Sequence, residues 1–407
     1  MRGRPVRTYG VCQLFENLEA MPADAILRLI GEHRDDTRAQ KIDLGVGVYR
    51  DQQGVTPILD SVRKAERLLV GEQQTKAYLG SSGDPVFNAA VQELIFGEEF
   101  AQSGRIATLQ TPGGSAALRV AASLIVRARS ATEICLSQPS WSNHVPLLGS
   151  AGVSLKSYPY YDGDTHRVLF TQMLELLQKI PPGDIVLLHG CCHNPTGMDL
   201  SREQWREVAD LLAERQLIPF VDMAYQGFAD GIEEDAWPIR LLFDAVPEMI
   251  VTSSCSKNFG LYRDRIGSLS LVGRDGDACG VLRSQANSVV RSMYSMPPHH
   301  GSAIVSRILN DETLNAEWLT ELDAMRDRLK SMRSLLVSAL HRHAPERDFS
   351  HIERGNGLFS FLGVAEQQVE SLKRDFGIYV VASGRVNVAG ITADNVDYMA
   401  RSVAAVL

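Results

Sequence analysis

One lysine in this chain keeps unusual company: it sits in Ser253-Ser-Cys-Ser-Lys-Asn-Phe-Gly-Leu-Tyr-Arg-Asp-Arg-Ile-Gly267, among hydroxyls, glycines and arginines. A desolvated lysine amine loses its proton and forms an imine with an aldehyde. Ser256 and Arg265 are suited to hold a phosphate on the same molecule. An exposed loop lysine is the bland alternative for Lys257. The spacing Ser254-x-x-Lys257 also fits a serine acyl-transfer nucleophile with its lysine base, but the Lys-Thr-Gly element of that chemistry is absent from the chain.

A second cluster lies in Leu217-Ile-Pro-Phe-Val-Asp222-Met-Ala-Tyr225-Gln-Gly227, where a carboxylate closes an apolar run and a phenol follows three residues later. A carboxylate at the end of a buried strand needs a partner. A pyridinium nitrogen would be one, because Asp222 would keep it protonated and the ring able to accept electrons. Tyr225 could then bond the ring's phenolic oxygen. As an isolated residue, Asp222 could equally be a helix N-cap.

Gln110-Thr-Pro-Gly-Gly-Ser-Ala-Ala-Leu118 precedes an apolar helical pattern, so the N–H groups of Gly114 and Ser115 at a helix start would suit a phosphate dianion. A tight turn is the alternative for a glycine pair there. His189-Gly-Cys-Cys-His-Asn-Pro-Thr-Gly197 offers Cys191, Cys192 and His193, yet neighbours on a strand point to opposite faces, so no metal is expected. Gly45-Val-Gly47 lacks the glycine that would complete a dinucleotide fingerprint.

Elements able to position these groups are visible in the middle of the chain. Apolar runs at Glu133 to Ser137, Asp184 to His189, Leu217 to Asp222, Met249 to Ser254 and Ser268 to Val272 alternate with helical patterns. Such alternation predicts an α/β domain with a largely parallel sheet. Ser201-Arg-Glu-Gln204 is a capping box that opens a helix running through Leu211 and Leu212. Leu322, Met325, Leu329, Met332, Leu336 and Leu340 recur at three- and four-residue intervals and predict one long helix bridging into a C-terminal domain.

With 407 residues, 44% of them hydrophobic, the chain can bury a large core and still form a second, smaller domain. Lys plus Arg number 41 against 49 Asp plus Glu, and the net charge of −8 gives no electrostatic reason to expect nucleic acid or an anionic membrane as partner. The six cysteines show no C-x-x-C spacing, which fits a reducing cytoplasm. No apolar stretch reaches the length of a membrane span, and the basic start Met1-Arg-Gly-Arg-Pro-Val-Arg7 reads as a short arm.

Taken together, the segments resemble the class I aminotransferases of fold type I, in the branch of the aspartate and aromatic-amino-acid aminotransferases. The resemblance runs from Leu14-Phe-Glu-Asn17 through Gly45-Val-Gly-Val-Tyr-Arg50, Thr75-Lys-Ala-Tyr-Leu-Gly80 and Pro139-Ser-Trp-Ser-Asn-His144 to Ala382-Ser-Gly-Arg-Val-Asn-Val-Ala-Gly390. It implies a large domain (51–320) around a mostly parallel seven-stranded sheet, a small α/β domain from both chain ends (15–50 and 321–407), and an N-terminal arm (1–14). It further implies pyridoxal 5'-phosphate as cofactor and a homodimer with shared active sites. Lys257 would hold the cofactor as an imine and shuttle a proton, Asp222 would face the ring nitrogen, Tyr225 and Asn194 the ring oxygen, and Trp141 would stack on the ring. Gly114, Ser115, Ser256 and Arg265, with Tyr78 and Ser295 from the other subunit, would bind the phosphate. Arg385 would hold the substrate α-carboxylate together with Asn194, Trp141 and the backbone of Gly47, beside Phe359. His144 would support Asp222. Arg291 would cross to the other subunit's site and pair with the side-chain carboxylate of a dicarboxylic substrate.

Ping-pong transamination between an L-amino acid, aromatic or dicarboxylic, and a 2-oxo acid such as 2-oxoglutarate is the implied reaction. Gly113-Gly114-Ser115 and Glu233-Glu-Asp-Ala236 are more similar to the aromatic branch, Arg385-Val-Asn-Val-Ala-Gly390 to the aspartate branch. Ala77 and Met296 replace usual asparagines, which should loosen the network around Arg291 and admit bulky donors. Arg28 replaces a small residue near the pocket entrance and could add charge recognition for an unusual substrate of a specialised pathway. A lyase or decarboxylase on the same scaffold would keep Lys257 and Asp222 but release no keto acid. A cofactor-responsive transcription regulator would need a DNA-binding domain, for which the residues before Phe15 are too few.

Overall fold

The computed structural model describes Phe15, residues 18–21 and residues 24–407. The expected arm, 1–14, lies outside the described residues, as does most of Leu14–Asn17. Seven strands form the main sheet: β1 (Ile106–Pro112), β2 (Glu133–Gln138), β3 (Ser154–Pro159), β4 (Ile185–His189), β5 (Ile218–Met223), β6 (Met249–Ser254) and β7 (Ile266–Val272). Their order is β1-β7-β6-β5-β4-β2-β3. The pairs from β6 to β3 are parallel, while β7 runs antiparallel to both β6 and β1. The sheet is therefore α/β and mostly parallel, and helices cover both faces with apolar side chains.

Five of the strands coincide with the apolar runs of the sequence. The two others lack that signature for opposite reasons. β1 is buried along almost its whole length but carries Thr108, Gln110 and Thr111, and β3 is an edge strand with exposed residues. β7 is an apolar run like its neighbours, and composition does not reveal its reversed direction.

The capping box at Ser201 is formed in both directions, with Gln204 N–H donating to Ser201 Oγ and Ser201 N–H to Gln204 Oε1, and the helix runs Arg202–Arg215. The long helix begins earlier than the stripe suggested, at Glu312, where the Asp311 carboxylate caps it, and ends at His343 after 32 residues. Its first half, with Leu314, Trp318, Leu322, Met325 and Leu329, belongs to the core beside the sheet. Its second half, with Leu336, Ala339 and Leu340, belongs to a separate cluster that joins Ile42 and Leu44 to residues from Phe349 to Val403. In that cluster strand Ile42–Asp43 pairs with Ile378–Tyr379, and strand Phe359–Phe361 pairs with Arg385–Asn387. Residues 42–44 and the C-terminal residues 349–403 thus meet in one apolar body, at the far end of a helix rooted in the other.

Candidate active site

The carboxyl ends of β1, β2, β4, β5 and β6 open on the same edge of the sheet, the edge from which β7 starts. In open α/β sheets this is where ligands bind, because helix N-termini and loops converge there. A cavity of about 240 Å³ occupies this edge. It is lined by Gly114 and Ser115 after β1, Trp141 after β2, Asn194 after β4, Asp222 and Tyr225 at the end of β5, Ser256 and Lys257 after β6, and Arg265 before β7. Gly47, Phe359 and Arg385 close it from the second body. Twelve residues scattered over more than three hundred positions of sequence, Gly47 to Arg385, share one space. The Asp222 side chain belongs to a strand and caps no helix.

Lys257 holds its Nζ 4.7 Å from the centre of the Tyr225 ring. Burial lowers its pKa to about 8, partly opposed by Asp222 and reinforced by Arg265, so the amine is readily available as a nucleophile. Ser254 Oγ donates to Ser256 Oγ at 3.0 Å, which engages the hydroxyl that an acyl-transfer reading would need beside the lysine.

Asp222 Oδ2 bonds His144 Nε2 at 3.1 Å, and Thr252 Oγ1 donates to Oδ1 at 3.3 Å. Burial alone would raise the carboxyl's pKa; the His144 bond and the nearby His144, His189 and Lys257 overcome it, and the pKa is lowered. Behind His144 the hydrogen bonds admit one consistent direction. Asn194 N–H donates to His189 Nδ1, His189 Nε2–H to Ser140 Oγ, Ser140 O–H to His144 Nδ1, and His144 Nε2–H to the carboxylate. Burial keeps His189 neutral, as this chain of donors requires.

At the other end of the cavity Arg265 donates to Ser256 Oγ and to the Tyr262 carbonyl. Its φ of +57° is a strained setting for a side chain of this size, and its guanidinium packs so close to Gly113 that a Cβ there would lie 2.5 Å from Nη2. Gly113, at φ +78°, begins the helix Gly113–Ala128, whose first N–H groups include those of Gly114 and Ser115. A guanidinium, two hydroxyls and a helix N-terminus thus converge on one anion-sized place.

Arg385 is buried, lies 4.2 Å over the Phe359 ring and donates Nη2 to the Gly45 carbonyl at 2.8 Å. Among the described residues its Nε has no hydrogen-bond partner, nor has the buried Oδ1 of Asn194. Gly47 leaves room for Phe359, since a Cβ would stand 2.8 Å from its Cζ. Phe359 is in turn fixed through its carbonyl by Arg333, which also clasps the carbonyls of Ile352, Asn356 and Gly357.

Tyr78, Arg291 and Ser295 do not line this cavity. Tyr78 is 92% exposed. The three lie on one surface block: Arg291 Nη1 bonds Ser295 Oγ, Ser81 Oγ donates to the Ser295 carbonyl, and Leu79 N–H donates to Met296 Sδ. Arg28 is not in the cavity either. It projects outward from helix Ala25–Asp35 and pairs with Glu32, while Ile26 of the same helix lines the site. Tyr262, His189, Leu118 and Ala224 also line it and were not singled out from sequence. For His189 the signal was present, a polar residue closing an apolar strand just as Asp222 does. Cys191, Cys192 and His193 lie in the turn after β4 rather than on a strand, with Cys191 Sγ against Met223 Sδ and His193 bonded to Ser137 and Thr196. Among the described residues no group of three His, Cys, Asp or Glu could hold a metal ion.

Comparison with known proteins places these features. The family model described as aminotransferase class I and II matches residues 39–403. The chain is 46% identical to the aspartate aminotransferase of Escherichia coli (strain K12), over 97% of this chain and 100% of that protein. It is also 46% identical to the aromatic-amino-acid aminotransferase of Pseudomonas aeruginosa, over 96% and 98%. Among solved structures, the aromatic-amino-acid aminotransferase of Burkholderia pseudomallei, covalently bound to pyridoxal phosphate, superposes with a TM-score of 0.95 at 42% identity, covering 97% of this chain and 100% of that one.

Proposed function

The chain belongs to the class I and II aminotransferase family, and from that premise we propose what each residue around the cavity does. The protein is an aminotransferase that uses pyridoxal phosphate. The site fits this cofactor: a desolvated lysine, an anion cradle at Arg265 and Gly113, and orphaned polar atoms on Asn194 and Arg385 surround one cavity. When bound, pyridoxal phosphate supplies an aldehyde carbon that condenses with amines and a ring that accepts electrons.

Lys257 Nζ would hold the cofactor's aldehyde carbon and, as a free amine, would take up the proton from the donor's Cα and give it back. Asp222, with His144 behind it, keeps a proton at the ring nitrogen. Tyr225 and Asn194 bond the ring oxygen, and Trp141 offers its indole face to the ring. Gly114, Ser115, Ser256 and Arg265 hold the phosphate. Arg385 grips the α-carboxylate with Asn194, Trp141 and the backbone of Gly47, and Phe359 excludes water beside it. In a homodimer, the block of Tyr78, Arg291 and Ser295 would serve the second copy's cavity.

The observation that carries this reading is the convergence of Lys257, Asp222, Arg265 and Arg385 on one cavity. We infer donors of both the dicarboxylic and the aromatic class, with a 2-oxo acid such as 2-oxoglutarate as acceptor. Relatives named for each class match at equal identity, and among the described residues Arg291 has only Ser295 Oγ as a side-chain partner. Ala77 and Met296 offer no amide to hold it. Equal rejection of phenylalanine, tyrosine and tryptophan would remove the aromatic part of the proposal. The same reading places the protein in the cytoplasm. It divides the chain into an arm (1–14), a large domain (51–320) and a small domain (15–50 with 321–407), spanned by the helix Glu312–His343.

The test is the visible spectrum of the cofactor-loaded protein before and after L-aspartate or L-phenylalanine, each added alone. Conversion to the amine form with release of the keto acid is expected. Cofactor chemistry without a keto acid would assign the protein to the lyases or decarboxylases on this scaffold. No conversion with either donor would point to a specialised amino acid.

A further inference from the structure

The guanidinium of Arg385 is oriented from behind by a carbonyl, and that carbonyl belongs to a segment with its own charged brace. Asp43 ends the short strand Ile42–Asp43 and is buried. One of its oxygens, Oδ1, accepts the Gly45 N–H at 3.0 Å, and the other, Oδ2, accepts from Arg50 Nη2. Arg50 Nη1 donates to the Asp43 carbonyl at 2.9 Å, so the guanidinium fork holds both the side chain and the main chain of one residue. Two residues beyond Asp43, the Gly45 carbonyl receives Arg385 Nη2. On the far side Asn387 Nδ2 donates to the carbonyls of Val46 and Val48, which stops the segment from rotating the other way.

We propose that Asp43, braced by Arg50, is a positioning residue for substrate binding: through Gly45 it sets the direction in which Arg385 presents its remaining donors to a carboxylate. This rests on the assignment of Arg385 as the carboxylate anchor. Neither Asp43 nor Arg50 lines the cavity, so both act through the backbone. The Asp43 side of the segment faces a second cavity of about 870 Å³ lined by Asp43, Arg50, His33 and Arg328, which leaves the brace without packing to replace it. Loss of the brace lets the Gly45 peptide rotate, and Arg385 then meets the substrate with the wrong geometry.

The experiment titrates 3-indolepropionic acid, a carboxylate without an amino group, into the pyridoxal-phosphate-loaded protein, followed by the change in visible absorbance. Alongside, KM and kcat are measured for amino donors. Asp43→Ala is expected to weaken the probe and raise donor KM about tenfold, the scale of one charge-assisted hydrogen bond, with kcat within about twofold and cofactor content unchanged. Asp43→Asn, which can still accept from Gly45, should recover most of the affinity. Unchanged probe affinity in Asp43→Ala, or an equal fall in kcat with loss of cofactor, overturns the proposal. If Asp43→Ala does not fold, Arg50→Ala decides: about threefold weaker binding supports the brace, wild-type binding refutes it. Arg385→Lys separates the two levels. If it binds the probe as wild type does, the anchor itself is misassigned; if it binds weakly while the Asp43 and Arg50 variants do not, only the brace is wrong.

Discussion

His144 Nε2 stands 3.1 Å from Asp222 Oδ2, with the histidine wholly buried and the carboxylate nearly so. The histidine therefore acts on the carboxylate and does not itself line the cavity. Because its hydrogen bond lowers the Asp222 pKa against the opposing effect of burial, His144→Ala should raise that pKa and move the acid limb of the pH–rate profile to higher pH, with cofactor still bound. An unmoved acid limb would show that the pair is structural only.

Asp222→Ala removes the group that keeps the ring nitrogen protonated. Removal of the Cα proton in single-donor half-reactions should slow by roughly 10² to 10³-fold. Near-normal turnover would withdraw the assignment.

Lys257 in the folded, cofactor-free protein has a pKa lowered to about 8 by burial, against ~10.4 when unfolded. Between those values the unfolded chain binds more protons, so stability contributed at this site rises as pH rises through the window and is lost as pH falls toward 8. Lys257→Met should flatten this rise in denaturant titrations of the cofactor-free protein. The rate of cofactor incorporation by wild type should also climb with pH up to about 8, as the free amine appears. A rise of stability identical in both proteins would place the titration elsewhere.

Arg333 is fully buried and binds four carbonyls, with no carboxylate bonded to it among the described residues. Arg333→Met would leave those carbonyls without donors, and a loss of about 3 kcal/mol or more is expected in the unfolding free energy. Since one of the four belongs to Phe359, KM for amino donors should rise as well. A variant of wild-type stability would mean that water replaces the guanidinium.

The imidazoles of His166 and His351 stack with centroids 3.6 Å apart, and His351 Nε2 donates to the Phe361 carbonyl while His166 Nδ1 bonds the Tyr161 hydroxyl. Burial pushes His351 down to about 4, opposed by the Phe361 bond and Asp348 and aided by His166 and Arg354. Burial also lowers His166, against Asp162, Asp348 and Asp164. The unfolded chain therefore binds more protons between about 4 and ~6.5, and stability falls as pH falls through that window. His351→Phe keeps a stacked ring and should lose less stability between pH 6.5 and 5, read from denaturant midpoints. Equal losses in both proteins would exclude the pair as the source.

Much of this was legible in the linear sequence because the chemistry sits at strand ends. Lys257, Asp222 and Asn194 each follow or close an apolar run, and residue type with that position implies both a parallel sheet and convergence at its carboxyl edge. The long helix was legible from its stripe, though its start at Glu312 lay a full ten residues before Leu322, with Leu314 and Trp318 continuing the stripe at four-residue intervals. The polar interior of β1 hid that strand, and no composition reports the reversed direction of β7.

What the fold alone decided are the relations between residues far apart in sequence. Arg28, expected near the pocket entrance, turns outward to Glu32, while Ile26 of the same helix lines the cavity. The donor chain from Asn194 to Asp222 passes through His189, Ser140 and His144 and so ties together the ends of β4, β2 and β5. Arg385 meets a carbonyl 340 positions away. Hydrophobic periodicity is a local property that a linear sequence records; a hydrogen bond depends on tenths of an ångström and on direction, and those are fixed only when the two cores have packed.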